Sequence, residues 1–537
     1  MQVSYSNTLL SLKAQSRLGF FIDESKPMKI KRIAIIGGGT AGWLAANHLG
    51  AELCHDPEIE ITLIESLDVP TIGVGEGSVP YLAKGLKRFG ISEAEMLLTC
   101  DATFKQGIKF VNWLDPKHGE NHYYHSFDTP YPAGVDVSNF WLANAAGRPF
   151  DDVGIQARIC ELGLSPKRKG SGDYEGALSY AYHFNALKFA GLLANNAKSR
   201  FNVKHQFATI KGAEVCQSGR ITHLVTADDT SLAFDFYVDC SGFASILIDK
   251  TLKVPFVSKA NELLTDTVLV QQVALGADEE INPYTTATAH RAGWIWDIPL
   301  TTRRGTGFVY SSRHMSDDEA LGLYADYLNV DSAQFNPRKI PMKVGYRETF
   351  WHHNCVALGL AQGFVEPLEA TSILVSDFSA ELLARNFPRH LEDIDVLTPH
   401  YNQVTTYVWE RVVDFIKLHY CISDRTDSDF WLDNKNSETI SQELYQRLAR
   451  FALKPPHASD FFGRFELFDH KNFLYVLYGM KFNTAAPVLS AQEVKHCEAL
   501  MTGNDQLVVK AASMLLKHRD WLEGLKQAFE QARSTKV

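Results

Sequence analysis

Apolar residues fall along the chain in three textures. The run at 33–36 is apolar throughout and ends at Gly37, Gly38 and Gly39. A short run without polar alternation predicts a strand buried on both faces. Residues 43–53 then have helical character, and 59–64 form a second apolar run. Strand, helix and strand in this order predict a βαβ unit in a parallel sheet covered by helices. Residues 203–240 and 266–312 differ: short β-rich segments such as 220–226 and 233–238 alternate with polar turns, which predicts antiparallel strands. From about residue 372 the pattern turns helical, with helices expected at 373–385 and 404–419. Leu507, Ala511, Met514, His518, Leu522, Leu525 and Phe529 are expected to form one apolar stripe on a C-terminal helix.

A chain of 537 residues exceeds one ordinary core. Its 45% hydrophobic and 22% charged residues are ordinary globular values. With 53 basic and 63 acidic side chains the formal net charge is -10, and no basic block stands out. That balance argues against nucleic acid and anionic membranes as partners. The eight cysteines are scattered without metal spacing, which suggests free thiols in a reducing compartment. No apolar run reaches the roughly 18 residues of a membrane span. Residues 1–27 contain Lys13 and Arg17 within their weakly apolar part, so no signal-peptide core is visible. The expectation is a cytoplasmic protein whose first domain begins near Met28, after an N-terminal extension of 27 residues.

The glycines at 37, 39 and 42 complete a GxGxxG pattern, with Thr40 and Ala41 between the last two. The first glycine permits a tight turn, the second lets backbone approach a pyrophosphate, and the third allows close helix–strand packing. Strand before and helix after give the motif its context, and the helix start offers free amides to the phosphates. Glu65, at the end of the second strand, is suited to a ribose hydroxyl and disfavours a 2′-phosphate. The motif alone leaves FAD and NAD both open.

Further along, Gly293 opens the segment GWIWDIP, which places Trp294 and Trp296 on the same face of a strand. The pattern WxWxIP resembles the signature of the flavin-dependent tryptophan halogenases. Three other segments support this resemblance: GGGTAGW at 37–43, IGVGEGSVP at 72–80 with Lys84 beyond it, and GFVEPLEATSI at 363–373. The resemblance spans about residues 30–435. It implies an α/β fold: an FAD-binding βαβ flavoprotein-monooxygenase-like unit with an antiparallel sheet insertion and a C-terminal helical subdomain. The domains expected are 28–400 for FAD binding and 401–537 for a helical part that helps form the substrate site.

The resemblance also implies a reaction. Reduced FAD activates oxygen, chloride or bromide is oxidised to hypohalous acid, and the acid passes through the protein to a lysine beside an aromatic, indole-like substrate. Lys84 is the lysine expected, with Lys87 as the fallback. An ammonium there would hydrogen-bond hypohalous acid, and a deprotonated amine would form a haloamine. Glu369 is expected to orient the acid and take the ring proton, with Glu366 as its rival. Thr371 and Ser372 begin a helix and are expected to bind halide through free amides. Leu360 and Ile373 are expected near the flavin, and Trp294 and Trp296 to flank it. The family's Ser-Thr-Gly is replaced here by Ala370, Thr371 and Ser372, which bears on halide choice.

A separate NAD(P)H flavin reductase is the expected partner, because only one dinucleotide loop is evident. A flavin hydroxylase and a non-catalytic flavoprotein are the competing readings. His118, His122 and His125 form a histidine-rich stretch for which no metal role is assigned, and no chemistry is assigned to Cys240. Residues 420–431 and 473–478 are aromatic-rich and fit either a pocket wall or core packing. Oligomeric state, exact substrate and regiochemistry stay open at this level.

Overall fold

The computed structural model describes residues 28–68, 76–119, 121–144, 147–276 and 278–534. The 1–27 extension and residues 72–75 of the IGVGEGSVP segment therefore lie outside the described residues.

A six-stranded sheet carries the dinucleotide motif. Its order is Trp351–His352, Cys355–Ala357, Phe236–Asp239, Arg32–Ile36, Glu60–Glu65 and Lys204–Phe207. All neighbours are parallel except the first pair. Ile33 to Ile36 of the central strand are buried, as their apolar pattern requires. The Thr40–Leu53 helix packs on this sheet and against the Thr371–Arg385 helix.

The β-rich middle builds mainly a second sheet. Seven strands run in the order Arg338–Pro341, Thr267–Ala274, Arg303–Tyr310, Gly293–Pro299, Thr285–His290, Gly107–Val111 and His122–Ser126. They are antiparallel except for the pair Thr285–His290 and Gly107–Val111. The expectation of antiparallel strands thus holds for 266–312 and for Ile221–Thr226. It fails for Phe236–Asp239 and Lys204–Phe207, which join the parallel sheet. Phe236–Asp239 is buried at every position, the signature of a central parallel strand rather than a half-exposed hairpin.

A small third sheet, Glu76–Gly77, Ala181–Phe184 and Thr103–Lys105, lies where the two larger sheets meet the same cavity. The Ile394–Cys421 helix runs through the expected boundary at 400/401. The C-terminal stripe is not continuous. Helices Ala491–Met514 and His518–Ser534 are separate, His518 and Leu522 are buried, and Leu507, Met514 and Phe529 are exposed. An extended residue, Leu515, breaks the period, so residues on either side no longer share a face.

All eight cysteines are free. No helix among the described residues is long and apolar enough to cross a membrane.

Trp296 fits beneath Gly307 on the neighbouring strand: a Cβ at Gly307 would lie 2.2 Å from the indole Cζ2. Gly307→Ala must therefore displace the indole, at a cost of about 1–3 kcal/mol. A lowered midpoint of thermal unfolding is the expected outcome; an unchanged midpoint would show that the ring is not held there.

Candidate functional site

A cavity of about 570 Å³ opens between the two large sheets. Its size is that of a cofactor or ligand site. The glycine loop forms one end. Gly37 has φ +115°, and a Cβ there would lie 2.2 Å from the carbonyl oxygen of Cys240. A Cβ on Gly42 would sit 1.9 Å from the Gly37 oxygen. Gly39 differs, since a Cβ there meets nothing within 4 Å. It caps the Thr40–Leu53 helix without a side-chain partner, so the first amides of that helix are left free toward the cavity. Glu65 lines the same end and is 2.7 Å from His205 Nε2. Cys240, Ser241, Leu360 and Ile373 also line the cavity, and Trp294 and Trp296 form part of its wall. A bare backbone approach, free helix amides, a carboxylate at the strand end and an aromatic wall together fit an FAD. The expected cofactor residues Gly37, Gly39, Thr40, Ala41 and Glu65 all border this space, and Gly42 supports the turn from behind.

Glu369 lies in the cavity wall and is buried. His125 Nδ1 lies 2.8 and 2.9 Å from its two carboxylate oxygens, and His419 Nε2 lies 3.0 Å from Oε1. Burial pushes the carboxyl up, and the hydrogen bonds from these two imidazoles more than offset it, so Glu369 is held below the ordinary glutamate value. The backbone here is strained: Glu369 has φ 135° and Ala370 φ 54°, both in the region that favours glycine. Such conformations cost of order 1–3 kcal/mol each and persist where surrounding contacts over-determine them. Glu366 sits behind the wall. It accepts hydrogen bonds from Trp294 Nε1 at 3.2 Å and from Thr265 and Tyr420. The two glutamates therefore divide: Glu369 faces the cavity, and Glu366 anchors the first tryptophan.

Lys84 does not meet Glu369. Its side chain is 60% exposed and pairs with Glu381 at 3.1 Å on the outer side of the Tyr81–Phe89 helix. Lys87, the fallback, is exposed and lies over the Tyr174 ring. Both lysines lie away from the cavity for the same reason: this helix turns its apolar face, Leu82, Leu86 and Phe89, inward and its lysines outward. The lysine in the cavity is Lys105, at the end of the Thr103–Lys105 strand. It is 1% exposed, and its Nζ lies 5.4 Å from the centre of the Phe127 ring. A Cβ on Gly77 would stand 3.4 Å from that Nζ, so the small third sheet holds it in place. Burial pulls the Lys105 ammonium down to about 8, opposed by the charge of Glu369. Glu76 lines the same cavity and is pushed up to about 7 by burial.

Thr371 and Ser372 begin the Thr371–Arg385 helix. Thr371 is 1% exposed, and its hydroxyl has no partner. Both residues border a small void between the cavity and Trp409, together with Gly359, Gly363 and Phe364. Ser372 also lines the main cavity. The aromatic segments near 420–431 and 473–478 are mostly core: Tyr420 packs on Trp113 and Trp431, and Phe473 on Phe415. No group of three or more metal-ligating side chains occurs among the described residues.

Sequence reasoning missed Lys105, His125 and His419. The signal for Lys105 was a lysine set within the apolar strand pattern that begins at Ala102. His125 stands in a histidine-rich stretch to which no role is assigned, and His419 at the end of an expected helix.

The family model described as tryptophan halogenase matches residues 32–495. The chain is 33% identical over 475 residues to tryptophan 6-halogenase SttH of Streptomyces toxytricini, covering 83% of this chain and 89% of that one. It is 33% identical over 488 residues to tryptophan 7-halogenase RebH of Lentzea aerocolonigenes, covering 86% and 91%. The crystal structure of a tryptophan halogenase from Shewanella frigidimarina superposes with a TM-score of 0.89 at 36% identity, covering 93% of this chain and 98% of that one.

The three glycines of the loop separate packing from binding. Gly42→Ala is expected to destabilise the fold, and Gly39→Ala to leave thermal stability unchanged while weakening FAD at least tenfold in a fluorescence titration. Equal FAD affinity for Gly39→Ala and the native protein would place the cofactor elsewhere.

Proposed function

Because the chain belongs to the tryptophan halogenase family and is therefore a flavin-dependent halogenase, we propose that it halogenates an indole-like aromatic substrate at Lys105 and Glu369. The observation that carries this reading is a buried lysine and a buried carboxylate that line one cavity together with Trp294 and Trp296. When bound, reduced FAD supplies hypohalous acid from oxygen and a chloride or bromide ion. Halide is held at the start of the Thr371–Arg385 helix, where free amides and the Thr371 hydroxyl face the small void.

Lys105 receives the hypohalous acid. As a neutral amine it forms an N–halogen bond and releases water. The halogen then passes to the substrate ring, the ring proton goes to Glu369, and the lysine nitrogen regains a proton from it. An ordinary lysine is almost wholly protonated at neutral pH, and desolvation makes the neutral form accessible. Phe127 and the cavity walls keep water from competing for the halogen. We further infer that a separate NAD(P)H flavin reductase delivers the reduced FAD, and that the helical part after residue 400 closes the substrate side, since Asn472 and Tyr475 both pack on His125.

The test is a substrate panel with bromide and chloride, read by mass spectrometry. Lys105→Ala is expected to abolish halogenation with FAD binding intact. Glu369→Gln should lower the rate about 10²-fold, and Lys84→Ala should stay within about twofold, as expected of an exposed ion pair. Loss of activity in Lys84→Ala with retention in Lys105→Ala would overturn the assignment, and hydroxylated product alone would overturn the reaction. The neutral-amine route also fixes a sign: the halogenation step should speed up as pH rises through about 8, where Lys105 loses its proton.

A further inference from the structure

Glu369 has a surrounding proton inventory that the hydrogen bonds define. Asn472 accepts from the backbone N–H of Asp469 through Oδ1 at 2.8 Å, so its amide nitrogen is the group that faces His125 Nε2 at 3.0 Å. His125 Nε2 is therefore an acceptor without a proton. Its Nδ1 carries the single N–H and donates to Glu369. His125 is a neutral imidazole.

His419 differs. Its Nδ1 lies 2.9 Å from the carbonyl oxygen of Phe415, which can only accept. That nitrogen carries a proton. Its Nε2 lies 3.0 Å from Glu369 Oε1. A second proton must lie between these atoms, on the histidine or on the carboxyl. The carboxyl is the weaker holder: both of its oxygens already accept from His125, and an ordinary glutamate gives up its proton about two pH units below an ordinary imidazolium.

We propose that His419 is an imidazolium that serves as the fixed countercharge of Glu369, a positioning residue that releases Lys105 from that duty. This proposal rests on the assignment of Lys105 and Glu369 as the reacting pair. A buried carboxylate needs a cation. Among the described residues only His419 and Lys105 are available to it, since His125 accepts from Asn472 and is neutral and Lys417 turns to Asn434. Lys105 feels Glu369 but forms no direct ion pair with it. If Lys105 were the sole countercharge, losing its proton would strand the carboxylate, and the neutral amine would be disfavoured. With His419 in place, Lys105 changes charge while Glu369 stays paired.

The groups facing His419 allow this arrangement. Phe110 and Trp113 cover the ring from the Gly107–Val111 strand and the turn after it, and Phe415 packs from its own helix. The polar and titratable groups around the pair are His125 and Tyr123 from the His122–Ser126 strand, Lys105 from Thr103–Lys105, and Glu369 itself. None but Glu369 is placed to take the Nε2 proton.

Two readouts on the full-length protein test the proposal. The first is nitrogen NMR of protein labelled with ¹⁵N-histidine, at pH 7.5 without substrate, using His419→Gln to assign the signal. Two protonated ring nitrogens at His419 are expected, and one at His125; an unprotonated Nε2 at His419 would overturn the proposal while leaving the role of Lys105 untouched. The second is the pH profile of single-turnover halogenation. In His419→Gln, Lys105 becomes the carboxylate's remaining cation, so the rise near pH 8 should move up by about one unit, leaving the rate about tenfold lower at pH 7.5. A rate lowered by one factor at every pH, with the midpoint unmoved, would mean a merely structural histidine and would contradict the proposal.

Discussion

The site depends on keeping one buried carboxylate ionised. An unpaired buried carboxylate would take up a proton instead, at which point it could neither accept a ring proton nor attract a lysine. Glu369 avoids this through two imidazoles brought from opposite sides, one on the edge strand of the seven-stranded sheet and one on the long Ile394–Cys421 helix. Those contacts also hold the unfavourable backbone of Glu369 and Ala370, where the chain bends into the next helix. The bend brings the helix start to the same region, with Ser372 lining the cavity and Thr371 the small void beside it. One set of hydrogen bonds thus fixes the carboxylate and the start of the helix that follows it.

The two sheets divide the remaining work. The parallel sheet presents the glycine loop and Glu65 to one end of the cavity, and the antiparallel sheet lays Trp294 and Trp296 along the wall. Glu366 ties that wall to the Glu369 loop by accepting the Trp294 indole N–H three residues before Glu369. The distance between flavin region and lysine is therefore set by packed strands rather than by mobile loops.

Much of this was legible in the sequence, and the boundary of legibility has physical causes. The βαβ opening, the glycine loop, the paired tryptophans and Glu369 all announce themselves through local pattern, because each is made by residues close together in the chain. Phe236–Asp239 was assigned to the wrong kind of sheet because a short buried strand looks alike in either, and only its partners decide. The catalytic-lysine expectation went to Lys84 because it follows a glycine-rich segment; the helix there is amphipathic, and its lysines face out. Lys105 carries no motif of its own. Its significance comes from burial, and the carboxylate whose charge it feels, Glu369, is 264 residues away in the chain. His125 and His419 are likewise ordinary in sequence and become informative only when Glu369 lies between them.

The central claim is that Lys105 is a desolvated amine facing an ionised Glu369. The most direct measurement is an NMR titration of the protein carrying lysine labelled with ¹³C at the ε-carbon, with the Lys105 signal assigned by its loss in Lys105→Arg. The account predicts that Lys105 titrates near 8, well below the exposed lysines. A Lys105 signal that titrates with the others, near the ordinary lysine value of about 10.4, would contradict it.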